Sequence, residues 1–210
     1  MVKKILTSLT LFSLFNLTSS AQNRIYTGIP VAEMNWVASA QQNTQWCWAS
    51  SIQMVLNKHR VAITQEQIVF RTFGVGPTGQ LPNFPGSIEV ITRNLNNWNF
   101  DNNGNRYTVM SRVFNGAPTP AVMLNVLGNK QPMIIGYRSG PNTQHAVVLT
   151  GMSYIPGPNG PIVTSLIVRD PWPSAVNRLN NGRVEHFMHA GAGSFEKLIT
   201  NHWYIGVRKQ

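Results

Sequence analysis

Three residues in this chain have the types and placement for nucleophilic chemistry: Cys47, His145 and Asp170. Cys47 is the sole cysteine of 210 residues, so the chain has no internal disulfide. A solitary thiol is either a small buried hydrophobe or a nucleophile in use. Its setting favours the second. From Cys47 onward Trp48, Ile52, Val55, Leu56 and His59 recur at three-and-four spacing, which predicts a helix with one buried face. Lys58, His59 and Arg60 suit the negative end of that helix. The sulfur is thereby placed at the opposite end, where the helix dipole favours a thiolate.

His145 and Asp170 are joined by chain geometry. The segment Ile155-Pro-Gly-Pro-Asn-Gly160 is dense in turn residues and predicts a hairpin. Folding there sets Tyr154 against Pro161 and, if no bulge intervenes, His145 opposite Asp170, with Cβ atoms roughly 5 Å apart. A carboxylate on one ring nitrogen fixes the tautomer and frees the other nitrogen to act as a base. Thiol, base and orienter together suit attack on an acyl carbon.

These residues need a scaffold, and the pattern predicts one. Thr64-Gln-Glu-Gln67 fits a capping box for a second helix that Gly74 stops. Residues 74–86 are a Gly/Pro-rich loop, and Ser87 caps a third helix running to about Trp98. Asn-Gly pairs at 103–104 and 115–116 bracket a strand over Tyr107–Val113. Thr119-Pro120 opens a fourth helix ending near Gly128. Strands follow at Met133–Arg138, His145–Tyr154 and Pro161–Arg169. Asn181-Gly182 makes a turn, and Trp203–Arg208 is a last strand. Residues 22–40 read as an irregular lead-in. Helices first and an antiparallel sheet second predict an α+β fold with a cleft between the halves.

Residues 1–21 read as a secretory signal. Lys3 and Lys4 precede an apolar run from Ile5 to Leu17, and Ser19 and Ala21 are the small residues of a cleavage site. The expected mature chain is one domain over 22–210, secreted or periplasmic in a bacterium. Net charge is +10, from 17 basic against 7 acidic residues, with the basic residues scattered. That reads as a basic soluble protein rather than a nucleic-acid binder. No later run is long and apolar enough for a membrane span.

Gln41-Gln-Asn-Thr-Gln-Trp-Cys47-Trp-Ala-Ser resembles the papain-like cysteine peptidases, in particular their bacterial secreted and effector-type branch with a Trp-Cys-Trp-Ala core. His145-Ala-Val-Val-Leu-Thr-Gly resembles that family's His-Ala-Val strand, and Val168-Arg-Asp170-Pro-Trp172 the segment holding its third catalytic residue. The resemblance implies a papain-like fold, a Cys47–His145–Asp170 triad, Gln41 as oxyanion donor (Gln42 if the loop is offset by one), and Trp172 covering the His–carboxylate bond. The third residue is Asp where papain has Asn. The Cys47-to-His145 spacing is shorter than papain's about 130–150 residues, which implies a trimmed sheet. No cofactor or metal is implied, the partner is a peptide or protein substrate, and a monomer is assumed.

The other candidates read as structure. His186-Phe-Met-His189 lacks a nearby acid in the usual metalloprotease arrangement. His59 reads as a helix end and His202 as packing. Gly191-Ala-Gly193 reads as a turn rather than a phosphate loop. Trp46, Trp48, Trp98 and Trp172 suit a core, although Trp46 and Trp172 are also placed to line the cleft. Three functions remain compatible with the triad: a peptidase, an amidase or acyltransferase on non-protein peptide conjugates such as cell-wall peptides, and a non-catalytic peptide-binding module.

Overall fold

A computed structural model describes residues 23–187 and 194–209. The expected signal segment, His189 and Gly191–Gly193 lie outside the described residues.

The nucleophile's helix is α2, Cys47–Lys58. Eight of its twelve residues are buried, Trp48, Ile52, Val55 and Leu56 among them, as its periodicity requires. The second helix, α3 (Gln65–Phe73), carries the full capping box between Thr64 and Gln67 and stops at Gly74, whose φ of 70° suits a glycine. A short α4 (Ile88–Asn94) is capped by Ser87 but ends before Trp98, which belongs to strand β2, Asn97–Phe100. The expected third helix is thus cut short. Its continuation pairs antiparallel with β3, Arg106–Asn115. The lead-in is also more regular than expected, with β1 at Ile25–Gly28 and α1 at Val31–Val37.

The rest of the sheet comes from β4 (Met133–Gly140), β5 (Thr143–Gly157), β6 (Gly160–Arg169), β7 (Arg183–Phe187) and β8 (Ile199–Lys209). Three further helices are α5 (Pro120–Gly128), α6 (Ala175–Leu179) and α7 (Phe195–Leu198). Every strand pair is antiparallel, in the order β2-β3-β8-β4-β5-β6-β7, and β1 pairs with β5.

Period-two alternation gives this sheet two apolar faces. Ile134, Ala146, Val148 and Trp203 join α2 and α3 in one core. Ile135, Val147, Leu149 and Val168 join Met123 and Leu127 of α5, together with Phe195, in another. Among the described residues no helix is long and apolar enough to cross a membrane.

The β5–β6 hairpin departs from the expected register. Both strands run on to Gly157 and Gly160, so the turn is tighter and lies further along the chain. Two bulges follow. Thr164 is the extra residue on β6 and Thr150 the extra residue on β5, so their effects cancel. Val148 therefore faces Arg169 at the open end. His145 and Asp170 are diagonal rather than direct neighbours, a spacing that long polar side chains still bridge.

Candidate active site

α2 starts at Cys47 with no side-chain cap, which leaves the first N–H groups of the helix aimed at the sulfur's surroundings. The flanking tryptophans anchor that helix end in the core. Trp48 is 1% exposed, its Nε1 donates to Phe84 O, and its ring meets Phe73 edge-on. Trp46 is 2% exposed and donates to Pro82 O. An indole N–H buried this deeply needs an acceptor, and the 82–84 loop supplies one to each ring. Trp46 is thus a core residue and does not line the cleft.

His145 sits near the start of β5, and Asp170 follows the last residue of β6. His145 Nε2 donates to Asp170 Oδ1 at 2.7 Å, and the Trp172 backbone N–H donates to the same oxygen at 2.8 Å. With Nε2 engaged, Nδ1 is the nitrogen left for the Cys47 sulfur. Burial opposes the imidazolium, yet the Asp170 hydrogen bond, the interaction with the Cys47 side chain and the negative charges of both outweigh it and raise His145 to about 9. Burial likewise opposes the Asp170 carboxylate. The His145 hydrogen bond and charge, the Trp172 N–H and His186 reverse that effect and lower its pKa.

Two cavities meet at the Cys47–His145 couple. One, of about 510 Å³, is walled by Asp170, the half-exposed Trp172, Tyr137, Gln45 and Thr143. The other, of about 540 Å³, is floored by Trp48, Ile91, Ala146 and Trp203, with Gly86 and Asn201 at its sides. Among the described residues, neither wall carries a Lys, Arg, Asp or Glu other than Asp170.

Cys47, His145, Asp170 and Trp172 are therefore brought together, and Gln41 is not. Gln41 is 6% exposed, and its Nε2 donates to Asn43 O and Thr44 O, both at 2.9 Å. Its backbone N–H donates to Pro171 O, and it lies on neither cavity wall. The Gln41 amide braces the turn that leads into α2. Gln42 lies apart, its N–H donating to Gln65 Oε1. Two side-chain amides line both cavities, Gln45 and Gln144, and of these Gln45 belongs to the turn that leads into α2.

Tyr137 is a wall residue that sequence reasoning missed. It pairs directly with His145 across the β4–β5 ladder, and its ring stands edge-on to the imidazole at 5.7 Å. Burial, then the charges of Asp170 and Cys47, push its phenol up to about 12, so it stays protonated. Only part of the signal was available: Gly140-Pro-Asn-Thr143 is a turn sequence whose register alone would set Tyr137 against Ala146, and the bulge at Ser139 moves it to His145. His186 does lie on β7, stacked on Phe195 with ring centroids 3.8 Å apart, and His202 and His59 are packing and helix-end residues as expected.

A helix-borne thiol and a strand-borne His–Asp pair, facing across a cleft in an α+β fold, define a papain-like cysteine peptidase. The model of the family described as papain-like cysteine protease AvrRpt2 matches residues 31–189, and the chain belongs to that family. Among solved structures, a double glycine motif protease from an AMS/PCAT transporter, in complex with the leader peptide, is similar at a TM-score of 0.43 and 18% identity, over 79% of this chain and 87% of that one. No curated protein matches the chain.

Proposed function

We propose that this peptidase is secreted and hydrolyses peptide bonds through a Cys47–His145–Asp170 triad and a covalent acyl-enzyme. The observation that carries this reading is the 2.7 Å His145–Asp170 bond on the wall of the cavity that also holds Cys47. The Cys47 thiolate attacks the substrate carbonyl carbon. The carbonyl π electrons move to oxygen, and the backbone N–H of Cys47 at the start of α2 stabilises the oxyanion. On the tetrahedral collapse, the His145 imidazolium gives its Nδ1 proton to the departing amine, and a thioester remains. Water then attacks the thioester, His145 accepts its proton, and the acid and the thiolate are released.

The side-chain half of the oxyanion site comes from the 41–45 turn. The family resemblance assigns it to Gln41, which takes the role by releasing the Asn43 and Thr44 carbonyls when substrate enters. Gln45 is the alternative donor, because it already lines both cavities. Trp172 shields the His145–Asp170 bond. Secretion rests on residues 1–21, and N-terminal sequencing of secreted protein starting at Gln22 supports it, whereas a start at Met1 removes it. Turnover of a peptide panel by wild type but not by Cys47→Ala tests the peptidase reading. Selective cleavage of cell-wall peptides over unfolded protein would favour the amidase class instead.

A further inference from the structure

Arg169 is among the most buried side chains described, at 1% exposed, and among the described residues no carboxylate pairs with it. Its guanidinium donates to Asn180 O (3.2 Å), Asn181 O (3.0 Å) and Val31 O (3.2 Å), while Nε has no partner. Burial, then the charge of Arg183, lowers its pKa to about 10. A buried cation held only by carbonyls is costly to desolvate.

The residue after it is Asp170. The Asp170 backbone N–H donates to Gly182 O at 2.7 Å, so the 180–182 turn sets the carboxylate's origin. That turn needs left-handed backbone, with φ of 54° at Asn181 and 71° at Gly182, and a Cβ on Gly182 would collide with Asp170 O. Little apolar packing holds it. Val176 and Leu179 of α6 are 66% and 88% exposed, and a cavity of about 220 Å³ separates the segment from residues 38–40. Two successive carbonyls face inward and would repel each other if nothing positive lay between them. The Arg169 guanidinium fills that place.

We propose that Arg169 is a positioning residue, whose buried guanidinium clamps the Asn180–Asn181 carbonyls, holds the Gly182 turn against Asp170, and so aims the carboxylate at His145. This rests on the triad reading above and adds a fourth member that touches neither substrate nor sulfur.

The test is the pH dependence of Cys47 alkylation by a neutral haloacetamide on the full chain, where the reaction has one thiol to find. Wild type is expected to show two steps, the upper one near 9 belonging to His145, and His145→Ala to collapse the profile to a single step. Arg169→Met, checked for folding by its thermal transition, is expected to move that step down by roughly one unit and to lower kcat/KM about tenfold. Arg169→Lys keeps a cation but not the fork, and is expected to fall between the two. An upper step unchanged in Arg169→Met and in Arg169→Lys overturns the proposal. Should Arg169→Met fail to fold, Arg169→Lys decides on the same shift. A wild type without the His145 step would instead bring down the triad reading itself, a result distinct from an unshifted step.

Discussion

The two sides of the cleft are built on different physics. The Cys47 side is a helix end set in an apolar core, with Trp46 and Trp48 packed beneath it and each indole tied by one hydrogen bond. The His145–Asp170 side hangs on polar bonds just past a strand end: Trp172 N–H and His145 on one carboxylate oxygen, Gly182 O on the backbone, and a guanidinium behind. Packing fixes a position but leaves an atom's charge to its surroundings. Hydrogen bonds fix both, and they answer to pH. Damage to the first side is therefore expected to appear mainly in stability, and damage to the second mainly in the protonation of the site.

The sharpest separation of the sides is Cys47→Ala, which should cost on the order of 10⁴-fold or more in kcat/KM while shifting the thermal transition little, measured on the same preparation. Trp48→Ala is the reverse case: a loss of about 3–5 kcal/mol in denaturant unfolding, with turnover per folded molecule close to wild type. The turn before α2 belongs to both sides. Whichever of Gln41→Ala and Gln45→Ala removes the oxyanion donor should lower kcat by roughly 10²-fold with KM little changed, and the other should not. Asp170→Asn keeps an acceptor for His145 but removes the charge, so about tenfold in activity should go and the limb near 9 should move down.

The same groups set a signature in stability. His145 is raised above its ordinary 6.5, so its contribution is complete below that value and lost as pH climbs through about 9. Asp170 is lowered from 3.8, so its contribution is present above that value and lost as pH falls through the lowered one. The difference in Tm between wild type and Asp170→Asn is expected to be largest between about 4 and 6.5 and smallest above 9. A difference flat across that range would erase the distinction between the two sides.

What could be read from the sequence follows the same divide. Apolar periodicity and caps are local, so α2, the α3 capping box, the Pro120 helix start and the three strands from Met133 to Arg169 were legible. The Cys–His–Asp set was legible because hairpin geometry tolerates a diagonal pairing. Features decided by distant partners were not. The four residues of β1 become a strand only against β5, and Trp98 leaves the expected helix because Thr108 pairs with it. Nothing local distinguishes Gln41 bracing a turn from Gln41 facing a substrate, or marks Arg169 for burial.

The paired bulges at Thr150 and Thr164 have a consequence for chain length. Each is held in place, Thr150 Oγ1 donating to Ile167 O and Thr164 Oγ1 accepting from Arg24 Nε. Deleting either one alone would leave the strands between the gap and the open end a half-repeat out of phase, presenting core residues to solvent and turning the Asp170 end away from the imidazole. Deleting both would bring the ladder back into phase with a shorter hairpin. Indels in this arm are thus expected to be tolerated as compensating couples, one on each strand, and not as singles.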